Sequence, residues 1–538
     1  MKRIVLAAVA LFLATTAFAA DTHRYLVATK RPIANGGLRA VRDSVDSNVE
    51  FRSVDTFQTF DGFAATLTEE EVRQLRASRE VRFVEPVVPR YALDVERNFA
   101  GQTVPYGVDA ISARQAGYGH RSGLVNVAVI DTGIDFTHAE LSGVYMGGMN
   151  VVDPKDPTLS PLDDHGHGTH VSGTIAAADN NFGVIGVAPG VRLWAVKALA
   201  SNGSGTSEGI IRAIDWVVAK KKEVGGNWVV NMSLGSSQES GGEREAFQRA
   251  FDAGLIVVAA SGNSSTVSVV APVGFPAAYP TVVAVGAYDS KRKLASFTSQ
   301  GPELDFSAPG VSVLSTMRVG SAFRAFVADV ARSYAASPLA GSNKGTVKGD
   351  YVFCGYGAPS DFAGKQVAGK IALIKRGMNL TFAAKTRAAK AAGAAGVVIF
   401  NNDLSTGGWT LLNDEIDQAE AWPVVLRLSM DDGEALAAKG SGPMTLSYDS
   451  DDYGELSGTS MACPHVTGSI ALLWMLAPNA TRDQILNALT VTALDLGAPG
   501  PDTQFGAGAI NVFAAAKMLV PSAFATTPTT GRTTGRRR

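Results

Sequence analysis

Cysteine is nearly absent. The 538-residue chain has two, Cys354 and Cys463, far apart in sequence. No disulfide framework can hold such a chain together, and both are expected as buried free thiols even in an oxidising compartment. An excess of charge of either sign is missing as well. Lysine and arginine number 48 against 50 aspartates and glutamates, a formal net charge of -2, which gives no electrostatic basis for a nucleic-acid partner. The glycines between 203 and 209 lack a lysine in phosphate-loop spacing, so that reading is discounted. Runs long enough to span a bilayer are also lacking. The apolar run at residues 4–13 is too short, follows Lys2 and Arg3, and precedes Ala17-Phe18-Ala19. This order reads as a signal peptide over residues 1–20, cut after Ala19, so the expectation is a secreted protein, extracellular or periplasmic, with no stable membrane anchor.

What is present is an ordinary apolar fraction, 46%, in a chain too long for one core, so several domains are expected. The informative stretch is Gly458-Thr459-Ser460-Met461-Ala462-Cys463-Pro464-His465, followed by an apolar run at residues 469–476. A serine among small residues at a helix start has an uncrowded hydroxyl beside the positive end of the helix dipole, which suits a nucleophile. A Thr-Ser pair before an apolar helix is also an ordinary N-cap. Two upstream stretches decide between these readings. Val127-Ala128-Val129-Ile130-Asp131 is an apolar strand ending on a carboxylate, and His165-Gly166-His167-Gly168-Thr169-His170 leads into an apolar helix. A carboxylate at a strand end and a histidine and a serine at two helix starts are the parts of an acyl-transfer triad, since open α/β sheets place their sites beyond the strand ends.

Together, in the order Asp, His, Ser, these motifs resemble those of the subtilisin-like serine proteases. The resemblance covers roughly residues 101–316 and 453–518. It implies a secreted serine endopeptidase made as a zymogen, with Asp131, His167 and Ser460 as catalytic residues and protein or peptide substrates. Ala259-Ala260-Ser261-Gly262-Asn263 resembles the family's oxyanion motif, so Asn263 and the backbone N–H of Ser460 are the expected donors. Substrate would bind as an added strand between Gly203-Ser204-Gly205 and Ser233-Leu234-Gly235. Gly274, before Phe275-Pro276, corresponds to the floor of the main specificity pocket and leaves room for a large apolar side chain. No cofactor is expected for catalysis. A structural calcium ion is implied at the side chains of Gln102, Glu140 and Asn180 and the carbonyls of Ala178, Phe182 and Val184, Glu140 standing where the family uses aspartate.

Strand-like runs at residues 126–131, 191–199, 228–232, 255–259 and 281–286 alternate with helical stretches at 208–221 and 243–253, which independently argues a largely parallel sheet with helices on both faces. Upstream, strands at 25–29, 49–57, 62–67 and 81–87, a helix near 38–45 and a second opened by the capping box at Thr68 give a β-α-β-β-α-β pattern. This small α+β unit, residues 21–99, resembles the inhibitory prodomain of the family and would be the enzyme's own intramolecular inhibitor. Residues 102–108 resemble the start of a mature family member, which places self-cleavage after Ala100, with Phe99 the alternative. The catalytic domain is expected at 100–318 and 449–520. Between its parts, residues 319–448 carry a strand at 369–377, an alanine-rich helix to Ala392 and a strand at 394–402; these resemble a protease-associated (PA) domain, a β-rich α/β unit that would govern substrate access or protein contacts. Helices are expected at 481–490 and 509–518, and the Thr- and Arg-rich tail, 521–538, is expected to be disordered. Two rival readings compete with this one. An inactive secreted scaffold that binds peptides has no need of a complete triad. A zinc hydrolase using His165, His167 and His170 would want a carboxylate where Thr169 stands.

Overall fold

The alternation of apolar strands with half-apolar helices resolves into three packed units. The computed structural model describes residues 22–45, 49–57, 59–87, 89–92, 96–97, 103–117, 125–153, 155–156, 158–266, 268–402 and 421–524. The signal segment, Gln102 and residues 525–538 of the tail lie outside the described residues.

The first unit runs β1 (Thr22–Thr29), α1 (Gly37–Ser44), β2 (Arg52–Thr56), β3 (Gly62–Thr68), α2 (Glu69–Ala77), β4 (Val81–Pro86), the order expected from the sequence. Its antiparallel sheet has the order β2-β3-β1-β4. The capping box opens α2: Glu71 N–H donates to Thr68 Oγ1 at 3.3 Å and Thr68 N–H to Glu71 Oε2 at 2.7 Å. Side chains alternate across β1, as a strand requires. Tyr25 and Val27 pack with Val41, Val72 and Leu75 of the unit's own helices, whereas Leu26 and Ala28 face outward into a second core described below. Two short extended pieces follow, β5 (Pro89–Ala92) and β6 (Glu96–Arg97).

The second unit begins with α3 (Tyr106–Ala110) and contributes β7 (Val125–Asp131), β8 (Tyr145–Asn150), α4 (His167–Ala176), β9 (Arg192–Lys197), β10 (Ser204–Thr206), α5 (Ser207–Val224), β11 (Asn227–Met232), β12 (Leu234–Gly235), α6 (Gly241–Asp252), β13 (Ile256–Ala260), β14 (Val282–Tyr288), β15 (Leu304–Pro309) and β16 (Val313–Thr316). Its central sheet has seven strands, ordered β15-β14-β13-β11-β7-β9-β8, all parallel. The inner strands β7, β11, β13 and β14 are buried on both faces, so they are mainly apolar rather than alternating. Val127, Val129 and Val258 share one core with α4. Ala128, Ile130 and Val230 share the other with α5 and α6, and Leu26, Ala28, Phe57 and Phe60 of the first unit join it. Fully burying each such large apolar side chain contributes about 1.5–3 kcal/mol. The first unit is thus docked by its sheet face onto the two helices.

The insert supplies β17 (Ala322–Ala328), β18 (Ser333–Ala335), β19 (Ser337–Pro338), β20 (Gly345–Phe353), β21 (Ile371–Lys375), α7 (Phe382–Ala391), β22 (Gly396–Phe400), β23 (Val424–Leu428), α8 (Met430–Lys439) and β24 (Ser441–Asp451). They form an eight-stranded mixed sheet with cores of its own, one under α8 and one under α7. The chain then returns through β25 (Tyr453–Leu456), which pairs antiparallel with β16, so the insert leaves and rejoins at neighbouring strands. It continues into α9 (Thr459–Leu476), α10 (Arg482–Thr492) and α11 (Val512–Leu519). The last helix starts later than residue 509, because Ala509 bridges to Leu494 and Ser307 and Asn511 takes the N-cap, accepting from Ala514 N–H at 3.1 Å. Helix α9 is apolar all round and buried along nearly its whole length, the mark of a central helix.

Candidate active site

Three chain segments end at the carboxyl edge of the parallel sheet. Strand β7 delivers Asp131, α4 begins at His167, and α9, which packs against α4, begins with Thr459-Ser460. Asp131 and His167 are fully buried and joined at 2.8 Å between Oδ1 and Nδ1. The same carboxylate oxygen accepts the N–H of Thr132 at 2.7 Å. That contact fixes the carboxylate plane, and the Nδ1 bond orients the ring. The close approach of strand end and helix start requires glycine at 168. A Cβ there would stand 2.1 Å from the Gly133 carbonyl oxygen and 3.2 Å from the Asp131 side chain.

The loop before His167 is held by a residue that the sequence reading missed. Asp163, 2% exposed, accepts at Oδ1 from Thr132 Oγ1 (2.8 Å) and the N–H groups of His165 (2.9 Å) and Gly166 (2.8 Å). Its Oδ2 accepts from Thr169 N–H (2.9 Å) and Oγ1 (2.6 Å). Thr132 Oγ1 in turn accepts from Gly168 N–H at 2.9 Å. One carboxylate therefore ties the end of β7 to the start of α4. The only sequence signal was an aspartate shortly before a glycine-histidine run, which is also an ordinary turn.

Ser460 Oγ donates to the carbonyl of Ser233 at 3.0 Å, and Ser233 Oγ donates to the carbonyl of Ser460 at 2.7 Å. The second bond has a cause in the sequence. Pro464 stands inside α9, and lacking an N–H it leaves the Ser460 carbonyl without its helical donor. Ser233 supplies one. Asn231 Nδ2 holds Ser233 Oγ at 3.0 Å, and Thr467 Oγ1 holds Asn231 Oδ1 at 2.8 Å. Asn263, just beyond β13, accepts at Oδ1 from Thr459 N–H (2.9 Å) and Oγ1 (2.7 Å). A backbone N–H must face an oxygen, so the amide is fixed with its N–H₂ turned away from Thr459.

The two backbone edges expected to bind substrate hold a strand of this chain between them. β5 pairs antiparallel with β10 on one side and with β12 on the other, Tyr91 opposite both Ser204 and Gly235. Gly203 makes the turn into β10 at φ 74°. Gly274 donates its N–H to Ser261 O at 2.9 Å and adjoins Ser236, next after β12, whose N–H donates to Phe275 O at 2.9 Å.

The three histidines do not form a zinc site. His170, fully buried, points its Nε2 at the carbonyls of Val313 (2.9 Å) and Gly454 (3.2 Å), which makes that nitrogen a donor; burial pushes its pKa down to about 3. His167 is engaged with Asp131, and among the described residues no cluster of histidine, cysteine and acid side chains is set to hold a metal. Cys463 is also excluded as a nucleophile. It is buried and free, its Sγ donating to Asn231 Oδ1 at 3.3 Å, and burial pushes its thiol up to about 12; burial likewise pushes the free Cys354 up to about 11.

Of the expected cation ligands, Glu140 and Asn180 meet. Asn180 Nδ2 donates to Glu140 Oε2 at 2.9 Å, while Oε1 accepts from Val184 N–H (3.2 Å) and Tyr453 OH (3.1 Å). Asn180 Oδ1 accepts from Phe182 N–H at 3.2 Å, and Ala178 contributes a backbone hydrogen bond to Glu140. Burial of this carboxyl among neutral partners holds its pKa above the usual carboxylate value.

Residues 123–351 and 428–508 match the subtilase family, more than half of the chain. The chain belongs to the subtilase family. Two further matches coincide with the other units, the PA domain at residues 337–436 and the peptidase inhibitor I9 family at 18–92. Among curated subtilases, subtilisin DY of Bacillus licheniformis is 45% identical over 216 residues, 40% of this chain and 75% of that one. Subtilisin E of Bacillus subtilis is 40% identical over 268 residues, 49% of this chain and 66% of the relative, just under two thirds of its length. Among solved structures, the psychrophilic subtilisin-like protease Apa1 from Pseudoalteromonas sp. AS-11 aligns with a TM-score of 0.56 at 31% identity, over 79% of this chain and all of that one. In this subtilase the PA-type insert therefore interrupts the fold between β16 and β25, directly ahead of the helix that carries Ser460.

Proposed function

We propose that this subtilase is a secreted serine endopeptidase, made as a zymogen, that hydrolyses peptide bonds in proteins. The observation that carries the reading is the buried Asp131–His167 pair at 2.8 Å, at the start of a helix that packs against the buried helix whose start holds Ser460. Ser460 Oγ attacks the substrate carbonyl as His167 Nε2 takes its proton; the imidazolium then protonates the departing amine, and water repeats the sequence on the acyl-enzyme. Asp131 holds the ring and stabilises its charged form. Asn263 Nδ2 and the Ser460 N–H are the donors for the oxyanion. Ser204-Gly205 and Leu234-Gly235 bind substrate through main-chain bonds, with Gly274 at the floor of the main pocket. The I9-type unit, docked on α5 and α6 with β5 in the cleft, acts as the intramolecular inhibitor. The signal-like segment 1–20 directs export. The insert governs access to the cleft, a role supported by its attachment: Arg318 Nη1 donates to Asp164 O and Val319 N–H to Asp135 Oδ2, each at 2.9 Å, beside the loop that carries His167.

A calcium ion would be held by Gln102, Glu140, Asn180 and the carbonyls of Ala178, Phe182 and Val184. The buried carboxylate with neutral partners fits a hard, oxygen-seeking cation, which would add its charge to a site that lacks one and tie β25 to the loop after α4. Ser460→Ala tests the central reading: casein cleavage is abolished and the melting temperature is unchanged. Cleavage by that variant at the parent's rate would sink it.

A further inference from the structure

Lys197 is a buried charge that the mechanism leaves unused. It ends β9, is 4% exposed, and stands in register beside Asp131 of β7. Paired residues on neighbouring strands turn their side chains to the same face, so Lys197 and Asp131 share the side of the sheet on which Val127, Val129 and Ala195 pack against α4. A lysine is rarely buried unless its charge is partnered. Here all three donors of the ammonium are used: Nζ donates to Asp164 Oδ1 at 2.6 Å, Thr132 O at 2.7 Å and Leu199 O at 3.0 Å. The acceptors belong to three segments of the candidate active site. Thr132 follows Asp131, and its N–H and Oγ1 are bound to Asp131 and Asp163. Asp164, its side chain half exposed, lies in the loop that leads to His167, and its carbonyl accepts from Arg318 Nη1. Leu199 starts the run from β9 to the edge strand β10; the N–H groups of Ala198 and Leu199 both donate to Asp131 O, at 2.9 and 3.1 Å.

We infer that Lys197 is a positioning residue for the Asp131–His167 pair: its ammonium fastens the strand end that carries Asp131, the loop that leads to His167 and the lead-in to β10 at a single point. The inference rests on the endopeptidase reading above. Only a long side chain with three donors can serve three backbone and carboxylate acceptors from the end of one buried strand, and the Asp164 carboxylate offsets the cost of burying the charge. The charge also acts on the imidazole. The charged groups around the ammonium are Asp164, its ion-pair partner, Asp163 and Asp131, which hold Thr132, the His167 ring on Asp131, and Arg318 across the Asp164 carbonyl. A positive charge near the ring opposes its protonation and a negative one favours it, so Lys197 and Asp164 push the protonation of His167 in opposite directions.

Wild type, Lys197→Met, Lys197→Arg, Asp164→Asn and Ser460→Ala, each expressed as the full chain, test this. The readouts are kcat and KM for a short peptide, with kcat taken per serine labelled by a phosphonofluoridate, and kcat/KM against pH. Lys197→Met keeps the length of the side chain without donors or charge. Its kcat per labelled site should fall about 10- to 100-fold with KM little changed, and the acid limb of kcat/KM should move up by about half a pH unit. Asp164→Asn should lose less, about fivefold, and its acid limb should move down. Lys197→Arg keeps the charge and should keep the limb of wild type. Damage to the fold alone would lower the number of labelled sites and the melting temperature while leaving both limbs in place. A kcat per labelled site within about twofold of wild type in Lys197→Met, or limbs of Lys197→Met and Asp164→Asn that stay in place or move the same way, overturns the assignment. Should Lys197→Met fail to fold, the half-exposed Asp164→Asn decides by the direction of its limb. Ser460→Ala separates the two levels. If it is inactive while Lys197→Met behaves as wild type, only the role of Lys197 is wrong; if it cleaves the peptide at the wild-type rate, the endopeptidase reading fails and this role falls with it.

Discussion

Glu85 joins the inhibitor unit to the catalytic body through a helix end, and its removal has a calculable consequence. Its Oε1 accepts from Ser240 Oγ at 2.5 Å and Gly242 N–H at 3.0 Å, and its Oε2 accepts from Gly241 N–H at 2.8 Å. The acid sits at the start of α6, where the first N–H groups have no helical partners and the dipole favours negative charge. In the released catalytic domain those groups turn to water, so Glu85→Ala loses the net value of a cap and not the gross energy of three bonds. A cap contributes about 1 kcal/mol and a charge at the helix start about 0.3–1 kcal/mol, so the complex should weaken by about 2 kcal/mol, or about 30-fold in Kd. Glu85→Gln keeps an acceptor but no charge, and should lose about 1 kcal/mol, or about fivefold. The assay is inhibition of the mature enzyme by the inhibitor unit, read from progress curves of peptide hydrolysis, where most of the change falls in the off-rate. An alanine variant within twofold of wild type (about 0.4 kcal/mol) would refute the capping argument, as would a glutamine variant as weak as alanine.

Three other outcomes are expected. Asn263→Ala lowers kcat by about 10²- to 10³-fold with KM little changed, a magnitude taken from the equivalent asparagine of subtilisin; a loss that falls on KM instead would assign Asn263 to ground-state binding. Inhibition by the prodomain weakens in acid. Burial opposes ionisation of Glu208, but Arg24 of the inhibitor unit and Arg212 more than offset it and hold the carboxyl below its usual value. A lowered folded-state value means the contribution is complete above the ordinary glutamate range of about 4.3 and is lost as pH falls through the lowered value; Glu208→Gln should flatten that limb of the inhibition constant against pH, and a wild-type constant unchanged down to pH about 3 would refute it. Chelation of calcium lowers the melting temperature of wild type, and Glu140→Gln abolishes that response; equal sensitivity in both proteins would place the ion elsewhere.

The parts of this fold that the sequence made legible are those with one periodicity and one environment. β7, β11 and β13 are buried on both faces, so each reads as a mainly apolar run, and the capping box at Thr68 is a local signal needing no tertiary context. β8 escaped notice because Tyr-Met-Gly-Gly-Met-Asn at a sheet edge is half exposed and has no apolar run to read. β17 and β24 escaped because they are paired across an intervening domain, and their alternating, partly exposed pattern resembles a loop. In the candidate active site Asp131, His167 and Ser460 stand out in the sequence because glycines lie close to each of them. Their supports were not: Asp163, Asn231 and Thr467 are common residue types whose meaning lies only in which distant atom they meet.

The supports nevertheless follow a rule. The two helix starts that carry His167 and Ser460 each have backbone groups with no helical partner, and side chains from outside the helix satisfy them. Pro464 withholds a donor from Ser460 O, and Ser233 supplies it from the end of β11. The start of α4 has N–H groups with no helical acceptor, and Thr132 and Asp163 accept them from the end of β7 and from the loop before the helix. The start of α9 has the same deficit, and Asn263 meets it from the end of β13. Because an unsatisfied buried polar group costs about 1–3 kcal/mol, each of these bonds favours the arrangement in which the segments lie side by side. The same contacts that satisfy the backbone therefore set the positions of Asp131, His167, Asn263 and Ser460. The insert's attachment extends the rule outward: Thr169 Oγ1 accepts Asp135 N–H at 2.9 Å while donating to Asp163, and Asp135 then accepts Val319 N–H at the first residue of the insert. A continuous chain of hydrogen bonds thus runs from the support of His167 to the insert, so a domain whose sheet lies outside the cleft is anchored to the geometry inside it.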